Sequence, residues 1–149
     1  MRIFRTLTLS VAGVAAVLST GSGIASAAPN PADTPREAIA RTYIDALVSH
    51  DASAVKFAPD ATRVEAGLKT GYSGPQMSAD LEHGLQYRVI QDIRDLEMSE
   101  SGNVVSTKYL LDSGIAGTQL LTVEITETFE IPDGTIHAIV AHITPKSLS

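Results

Sequence analysis

The 149-residue sequence contains no cysteine. This absence excludes disulfide bonds, a thiol nucleophile and a lipid-modified cysteine behind an N-terminal signal. The folded state must therefore be stabilised by packing alone. We expect a compact domain with a substantial apolar core.

Basic residues are few and do not cluster. The chain has 11 Lys and Arg against 17 Asp and Glu, a net charge of −6. Binding to nucleic acids or to anionic membranes depends on neutralising phosphate groups with basic side chains, so neither partner is expected. The sequence also lacks a P-loop and a dinucleotide-binding fingerprint, and we predict no cofactor. The segment "GYSGP" does not have the G-x-S-x-G spacing of a nucleophile elbow and is interpreted as a turn.

Long apolar runs are absent as well. The run from Leu7 to Leu18 has 12 residues, whereas a membrane-spanning helix needs about 20. It follows Arg2 and Arg5 and precedes "ASA", which is typical of a secretory signal peptide cleaved before Ala28. Cleavage would leave 9 basic and 17 acidic residues, a net charge of −8. We therefore predict a secreted or extracytoplasmic protein without a membrane anchor.

The predicted organisation is a signal peptide (1–27), a flexible leader (28–33), one domain (34–145) and a short tail (146–149). Thr34, Pro35 and Glu37 form a capping box that starts a helix, and Asp51 is a candidate cap for a short second helix that ends before Pro59. The remaining expected elements are a strand at 61–68, a helix at 75–83, and four strands in a meander at 85–98, 104–112, 118–131 and 135–145. This order indicates an α+β fold, with helices on one side of a curved antiparallel sheet.

One predicted strand has a charged residue in its apolar row. In "TVEITETFEI" (122–131), alternation places Glu127 in an apolar row between Ile125 and Phe129. An unpaired buried carboxylate is costly, so it pairs, takes up a proton or reaches water. Glu127 therefore indicates a polar partner or a wet cavity. The alternative is a core glutamate bonded to a backbone group or to an arginine.

The segments "YIDALVSHDASAV" and "FAPDATRVEAGLKTGYSG" resemble the SnoaL-like and ketosteroid-isomerase-like branch of the nuclear-transport-factor-like superfamily. The resemblance covers about residues 34–145, and "AHITP" also resembles a narrower group of secreted proteins. It implies a cone-shaped sheet around a pocket that is closed by the first helix. It also implies three groups facing that pocket: Tyr43 from the helix, Glu65 as the base, and Glu127 as a second acid. Both carboxylates are Glu where the family has Asp, which leaves the reaction open.

The residues themselves leave alternatives. Glu65 lies two residues from Arg63 on one strand, so a surface salt bridge competes with a role as a general base. Tyr43 lies on the apolar stripe of the first helix, where a tyrosine is usually a core residue.

The histidines do not predict a metal site. His137 and His142 are five residues apart on one strand and would face opposite sides. His142 shares a row with Val140 and would neighbour the strand of Glu127, which suggests a Glu–His pair for acid/base chemistry. The alternative is a buried histidine bonded to backbone.

Two classes of function follow. The first is an isomerase, cyclase or dehydratase without a cofactor, acting by acid/base chemistry on a small apolar molecule of polyketide or terpenoid type, with Glu65, Tyr43, Glu127 and His142 as the catalytic candidates. The second is a module that binds a small apolar ligand without chemistry, or a cell-envelope interaction domain that forms a homodimer through the outer face of its sheet. Failure of these four side chains to converge on one cavity would count against the enzyme, whereas convergence alone would not distinguish an enzyme from a binding module.

Overall fold

The computed structural model of the protein describes residues 32–146. The predicted signal peptide, most of the predicted leader and residues 147–149 lie outside the described part. The elements are α1 (Pro35–Ser49), β1 (Phe57–Glu65), β2 (Leu68–Gly71), α2 (Gly74–His83), α3 (Leu85–Arg88), β3 (Ile90–Ser101), β4 (Val104–Ile115), β5 (Thr118–Glu130) and β6 (Ile136–Lys146).

The six strands form one curved, open sheet in the order β2-β1-β6-β5-β4-β3. Strands β3 to β6 are the predicted meander, with antiparallel pairing throughout. The β1–β6 pair is parallel, so the sheet is mixed rather than wholly antiparallel. The predicted α+β class with about three helices on a curved sheet is confirmed.

Helix α1 begins as the capping box predicts. The Thr34 hydroxyl accepts a hydrogen bond from the Glu37 backbone N–H, and the Glu37 carboxylate accepts one from the Thr34 N–H. The helix ends at Ser49, and the capping residue His50 adopts a left-handed conformation with φ of 57°. The buried face of α1 carries Tyr43 and Leu47 into the main core, against the inner face of the sheet.

Two predicted elements are corrected. No helix follows Asp51; the chain turns and enters β1 at Phe57. Pro59 lies inside β1 because the β1–β6 register is interrupted between Phe57 and Thr62, where a residue without a backbone N–H is tolerated. The predicted strand at 61–68 is divided by a turn at Ala66 and Gly67, both with positive φ, and the chain returns as β2.

The predicted strand at 85–98 begins too early. Residues 85–88 form the single helical turn α3, and β3 starts only at Ile90. This helical turn buries the side chain of Tyr87 in the core. In a strand, the side chains of residues 85–88 would instead have pointed alternately to the two faces of the sheet. Tertiary burial of one aromatic ring has overridden the local β pattern. Among residues 32–146, no helix has the length and apolar character to span a membrane.

Candidate functional site

The concave inner face of the sheet, α1 and α3 enclose a cavity of about 320 Å³. Its wall is mostly apolar, and its polar residues come from five different elements. The lining residues are Tyr43, Leu47, Glu65, Ala66, Gln86, Tyr87, Val89, Ile90, Tyr109, Leu111, Ser113, Leu121, Val123, Ile125, Glu127, Ala141 and Ile143. Tyr43, Glu65 and Glu127, all predicted as site residues, therefore meet in one cavity.

Strand register explains why the two carboxyl groups face each other. Ala141 of β6 pairs with Glu65 of β1 on one side and with Glu127 of β5 on the other. The three residues thus form a row across the sheet, and all three point to the concave face. Two strand spacings separate the backbones of the two glutamates, about 10 Å. The small side chain of Ala141 leaves the space between them open.

Glu127 is buried, and no Lys, Arg or His among residues 32–146 forms an ion pair with it. Its side chain is 3% exposed, and it accepts a hydrogen bond of 2.9 Å from the Tyr109 hydroxyl. The pKa of Glu127 is raised to about 8, and burial is the largest cause. The hydrogen bond from Tyr109 and the charge of Arg63 act to lower this pKa, whereas the nearby Glu65 acts to raise it. Glu127 is therefore mainly a neutral carboxylic acid at neutral pH. One of its oxygens can donate a proton or a hydrogen bond into the cavity.

Glu65 lies in a different environment. It accepts a hydrogen bond of 2.6 Å from the Thr70 hydroxyl and one of 3.3 Å from the Tyr87 hydroxyl. Its carboxylate also forms an ion pair of 3.3 Å with Nε of Arg63. The predicted salt bridge exists, but it is not an exposed surface pair, because Arg63 is fully buried and the Glu65 side chain is only partly exposed.

Arg63 organises the side of the site next to Glu65. Its Nε donates to Thr70, and its Nη2 donates to Asp80 of α2 at 3.2 Å. The guanidinium lies 5.3 Å from the centre of the Tyr87 ring, which is within cation–π distance. Its Nη1 has no hydrogen-bond partner among residues 32–146, although the guanidinium also interacts with the Tyr43 phenol.

Tyr43 is 1% exposed and packs edge-to-face against Phe57 and Phe129. The sequence left open whether Tyr43 is a core residue or a pocket residue. It is both, because it is buried and also lines the cavity. Burial, followed by the nearby Glu127, raises the pKa of Tyr43 well above its ordinary value. The phenol keeps its proton at any physiological pH and can act only as a neutral hydrogen-bond donor or acceptor.

The prediction for His142 is wrong. His142 is exposed, pairs with Thr126, and does not line the cavity. The inner row of β6 consists of Ile139, Ala141 and Ile143, one residue out of step with the predicted row. A shift of one residue moves every side chain of a strand to the other face. Ala141, not a histidine, is thus opposite Glu127.

Sequence reasoning missed the two tyrosines that bond the carboxyl groups. Tyr109 of β4 pairs with Ile125, two residues from Glu127, and this diagonal position is within reach of a tyrosine across antiparallel strands. The alternation in "VVSTKYLLD" together with the meander could have indicated it. Tyr87 could not have been found, because it reaches Glu65 only through the unexpected helical turn.

The arrangement combines a proton acceptor with neutral donors. Glu65, paired with Arg63, offers carboxylate oxygens, whereas Glu127 and Tyr43 offer O–H groups. Enzymes that transfer protons commonly use two carboxyl groups whose different environments give them different pKa values. Within residues 32–146, no three His, Asp or Glu side chains are grouped so that they could hold a metal ion.

Solved structures of similar shape include an epoxide hydrolase, a protein with a ketosteroid isomerase-like fold and a nuclear-transport-factor-like protein. An epoxide hydrolase of the LEH-like type from M. tuberculosis shares 16% identity at a TM-score of 0.63, over 76% of this chain and 85% of that one. A protein with a ketosteroid isomerase-like fold from Catenulispora acidiphila, in complex with trimethylamine, shares 16% identity at a TM-score of 0.57, over 69% and 82% of the two chains. A nuclear-transport-factor-like protein of unknown function from Cytophaga hutchinsonii shares 17% identity at a TM-score of 0.55, over 76% and 90%. These likenesses show the fold, which is that of the predicted superfamily.

No curated protein matches the sequence significantly. The family model described as "Domain of unknown function (DUF8021)" matches residues 31–143. The chain therefore belongs to the DUF8021 family.

Proposed function

We propose that this member of the DUF8021 family is a cofactor-independent isomerase, cyclase or dehydratase that moves a proton on a small apolar carbonyl compound. One observation carries the proposal. A buried carboxylic acid, Glu127, and a paired carboxylate, Glu65, lie on either side of Ala141 in a single cavity with mostly apolar walls.

Only three of the four candidate residues, Glu65, Glu127 and Tyr43, converge on the cavity, and the proposed chemistry does not use His142. Each of the three has one role. The Glu65 carboxylate takes the proton from the carbon next to the substrate carbonyl, and the electrons of that C–H bond move into the carbonyl to give an enolate. The enolate oxygen accepts hydrogen bonds from Glu127 and from Tyr43. Glu65 then returns the proton to another carbon of the conjugated system, which completes an isomerisation without any net change in atoms or electrons.

The expected contribution of each group to the reaction rate can be taken from other enzymes. A positioned general base typically contributes 10²- to 10⁴-fold, and a preorganised donor to an oxyanion about 10²- to 10³-fold. The neutral state of Glu127 favours this role, because an ionised carboxylate would repel an enolate. The ion pair with Arg63 and the hydrogen bond from Thr70 hold Glu65 in a fixed position at the cavity wall.

The proposal is tested by hydrogen–deuterium exchange into simple ketones in D₂O, followed by mass spectrometry. We expect the protein to catalyse exchange next to the carbonyl, and Glu65→Gln to lower the rate by at least about 10²-fold with an unchanged circular dichroism spectrum. Glu82→Gln, on the exposed face of α2, is the matched control and should keep the full rate. A bound ketone that exchanges no faster than in buffer would refute the proposal.

A second candidate function is the binding of a small lipophilic cation without chemistry. No Lys, Arg or His is among the residues that line the cavity, whereas two carboxyl groups and three tyrosines are. The structure with trimethylamine shows that a protein of this fold has been observed with an amine. An amine would pair with Glu127 in its ionised form and gain cation–π contacts with the tyrosines.

The pH dependence of binding separates the two candidates. A ketone needs the proton of Glu127, so its affinity should fall as pH rises through about 8. A cation needs the ionised form, so its affinity should rise over the same range, provided that the amine itself keeps its charge. Titration calorimetry at pH values from 6 to 9 with a ketone and a quaternary amine measures both.

We also propose that the protein acts outside the cytoplasm. The support is the signal-like segment before Ala28, with its two arginines, short apolar run and "ASA" site. Mass spectrometry of the protein recovered from culture medium should find Ala28 as its first residue. Recovery only from the cytoplasm, with the first 27 residues intact, would refute secretion.

A further inference from the structure

The cavity has a polar floor and a mostly apolar mouth, where Gln86 is the exposed polar residue among the described lining residues. At the floor, Tyr109 and Glu127 are 2% and 3% exposed. At the mouth, Val89, Leu121 and Ile143 line the same cavity but are 40%, 44% and 44% exposed. A ligand held at Glu127 and long enough to reach the mouth would bury these three side chains.

Strand β5 forms a continuous track between floor and mouth. Every inward residue from Leu121 through Val123 and Ile125 to Glu127 lines the cavity. Six residues of strand span about 20 Å. Leu111 of β4 lines the same cavity and adds further apolar wall beside the track. Apart from the acid at its end, the β5 track itself offers no polar side chain, although Tyr109 and Ser113 of β4 line the cavity beside it. A ligand chain that lies along β5 therefore makes mainly apolar contacts.

Exposed apolar side chains are concentrated at this end of the molecule. Besides the three at the mouth, Leu85 precedes the lining residues of α3, and Ile115 belongs to the β4–β5 hairpin that ends beside Leu121. The exposed fractions of Leu85 and Ile115 are 74% and 66%. Single exposed apolar residues are ordinary, but a group of them around a cavity marks a binding surface.

We infer that the site takes an elongated amphiphile, with its carbonyl end at Glu127 and a hydrocarbon tail that follows β5 and leaves between Leu121 and Val89. The inference rests on the proposed function for the placement of the carbonyl group. It adds that the substrate is longer than the enclosed part of the cavity, and that the apolar mouth is covered by the substrate's own tail.

The test uses a homologous series of unbranched methyl ketones, from hexanone to dodecanone, and measures affinity by titration calorimetry. We expect the affinity to increase roughly two- to fourfold for each added methylene until the tail has passed the mouth. Leu121→Ser should weaken binding of the longest ketone by about tenfold and leave hexanone unchanged. Leu120→Ser is the matched control, because Leu120 is exposed on the same strand but does not line the cavity.

Three results would overturn the inference. The affinity could stop rising at the shortest ketones, Leu121→Ser could weaken short and long ketones equally, or Leu121→Ser could convert a dimer into a monomer in sedimentation experiments. The last result would show that a second copy of the chain covers the mouth. Loss of deuterium exchange is a separate readout: a chain-length dependence without exchange would refute the proposed chemistry and leave an elongated ligand.

Discussion

Glu127 shows how one side chain can set the chemistry of a site. Its neighbours along the inner row of β5, Ile125 and Phe129, provide the low-polarity surroundings that keep it protonated. Tyr109 satisfies one of its oxygens and leaves the other for a ligand. Asp112 makes the contrast: it is also buried, but Arg94 pairs with both of its oxygens, and that hydrogen-bonded pair lowers the pKa of Asp112.

The raised pKa of Glu127 predicts a pH-dependent stability. The pKa of Glu127 is near 4.5 in the unfolded chain and about 8 in the folded chain. At pH values between these two, Glu127 has lost its proton in the unfolded chain but keeps it in the folded chain, so rising pH favours unfolding. The free energy of unfolding should fall over this range by an amount on the order of a few kcal/mol. Glu127→Gln should remove that part of the slope. Urea unfolding at several pH values measures both proteins, and Glu130→Gln, exposed on the outer face of β5, is the control. Parallel profiles for Glu127→Gln and the unchanged protein would contradict the prediction.

Tyr109 should lower the pKa of Glu127, because its hydroxyl donates to the ionised carboxylate more strongly than to the neutral acid. Tyr109→Phe is therefore expected to raise the pKa of Glu127 above about 8. The carboxyl carbon resonance of Glu127, followed against pH by NMR with labelled glutamate, reports the value directly. Tyr72→Phe, at an exposed tyrosine outside the cavity, should leave it unchanged. A lower pKa in Tyr109→Phe would show that the assigned hydrogen bond does not act as described.

At the level of secondary structure, the short hairpin of β1 and β2 fixes the position of the base. Thr70 of β2 bonds both Glu65 and Arg63 of β1, and Asp80 of α2 bonds Arg63 from the other side. These contacts depend on a close approach at Gly71. A Cβ there would lie 2.4 Å from Sδ of Met77 and 2.6 Å from Cβ of Arg63.

Gly71→Ala should therefore separate β2 from β1 and α2. We expect a loss of about 1–3 kcal/mol in the free energy of unfolding, as for other overpacked sites. The rate of deuterium exchange should fall as well, because Glu65 loses its fixed position. Lys69→Ala, exposed on the same strand, is the control for both measurements. Equal stability and equal rates in the two variants would show that the hairpin tolerates the added methyl group.

For the whole molecule, the fold depends on a main core between α1 and the sheet and on a smaller cluster of Ala58, Ala61 and Met77, without any disulfide bond. The outer face of the sheet carries Val104 and Val140 as exposed apolar residues, and a homodimer through this face remains a prediction. The long edge strand β3 has two register irregularities and the charged residues Asp92, Arg94 and Asp95, which discourage pairing with another edge.

Folding should not depend on the redox environment or on the first 27 residues. We expect residues 28–149, produced in a reducing cytoplasm, to unfold cooperatively and with the same urea midpoint before and after exposure to an oxidant, because no cysteine is present. Circular dichroism and urea titration measure this. An aggregated or uncooperative chain would mean that the missing segment contributes to the folded state.

The sequence by itself determined the elements with strong local signals. The capping box at Thr34 placed the start of α1, the alternation of β5 placed Glu127 on the inner face, and the turn residues of the last four strands indicated the meander. Local patterns are sufficient there because the periodicity of a strand or helix decides which face is buried. Tyr43, Glu65 and Glu127 could be brought together only with the family resemblance.

The tertiary structure alone decided the rest of the site. The register of β6 put Ala141, rather than His142, between the two glutamates, because a slip of one residue exchanges the faces of a strand. The helical turn α3 and the division of β1 from β2 exist because they bury Tyr87 and Arg63 against Glu65. Such contacts join residues far apart in the chain, and their free energy outweighs the local preferences that a sequence displays.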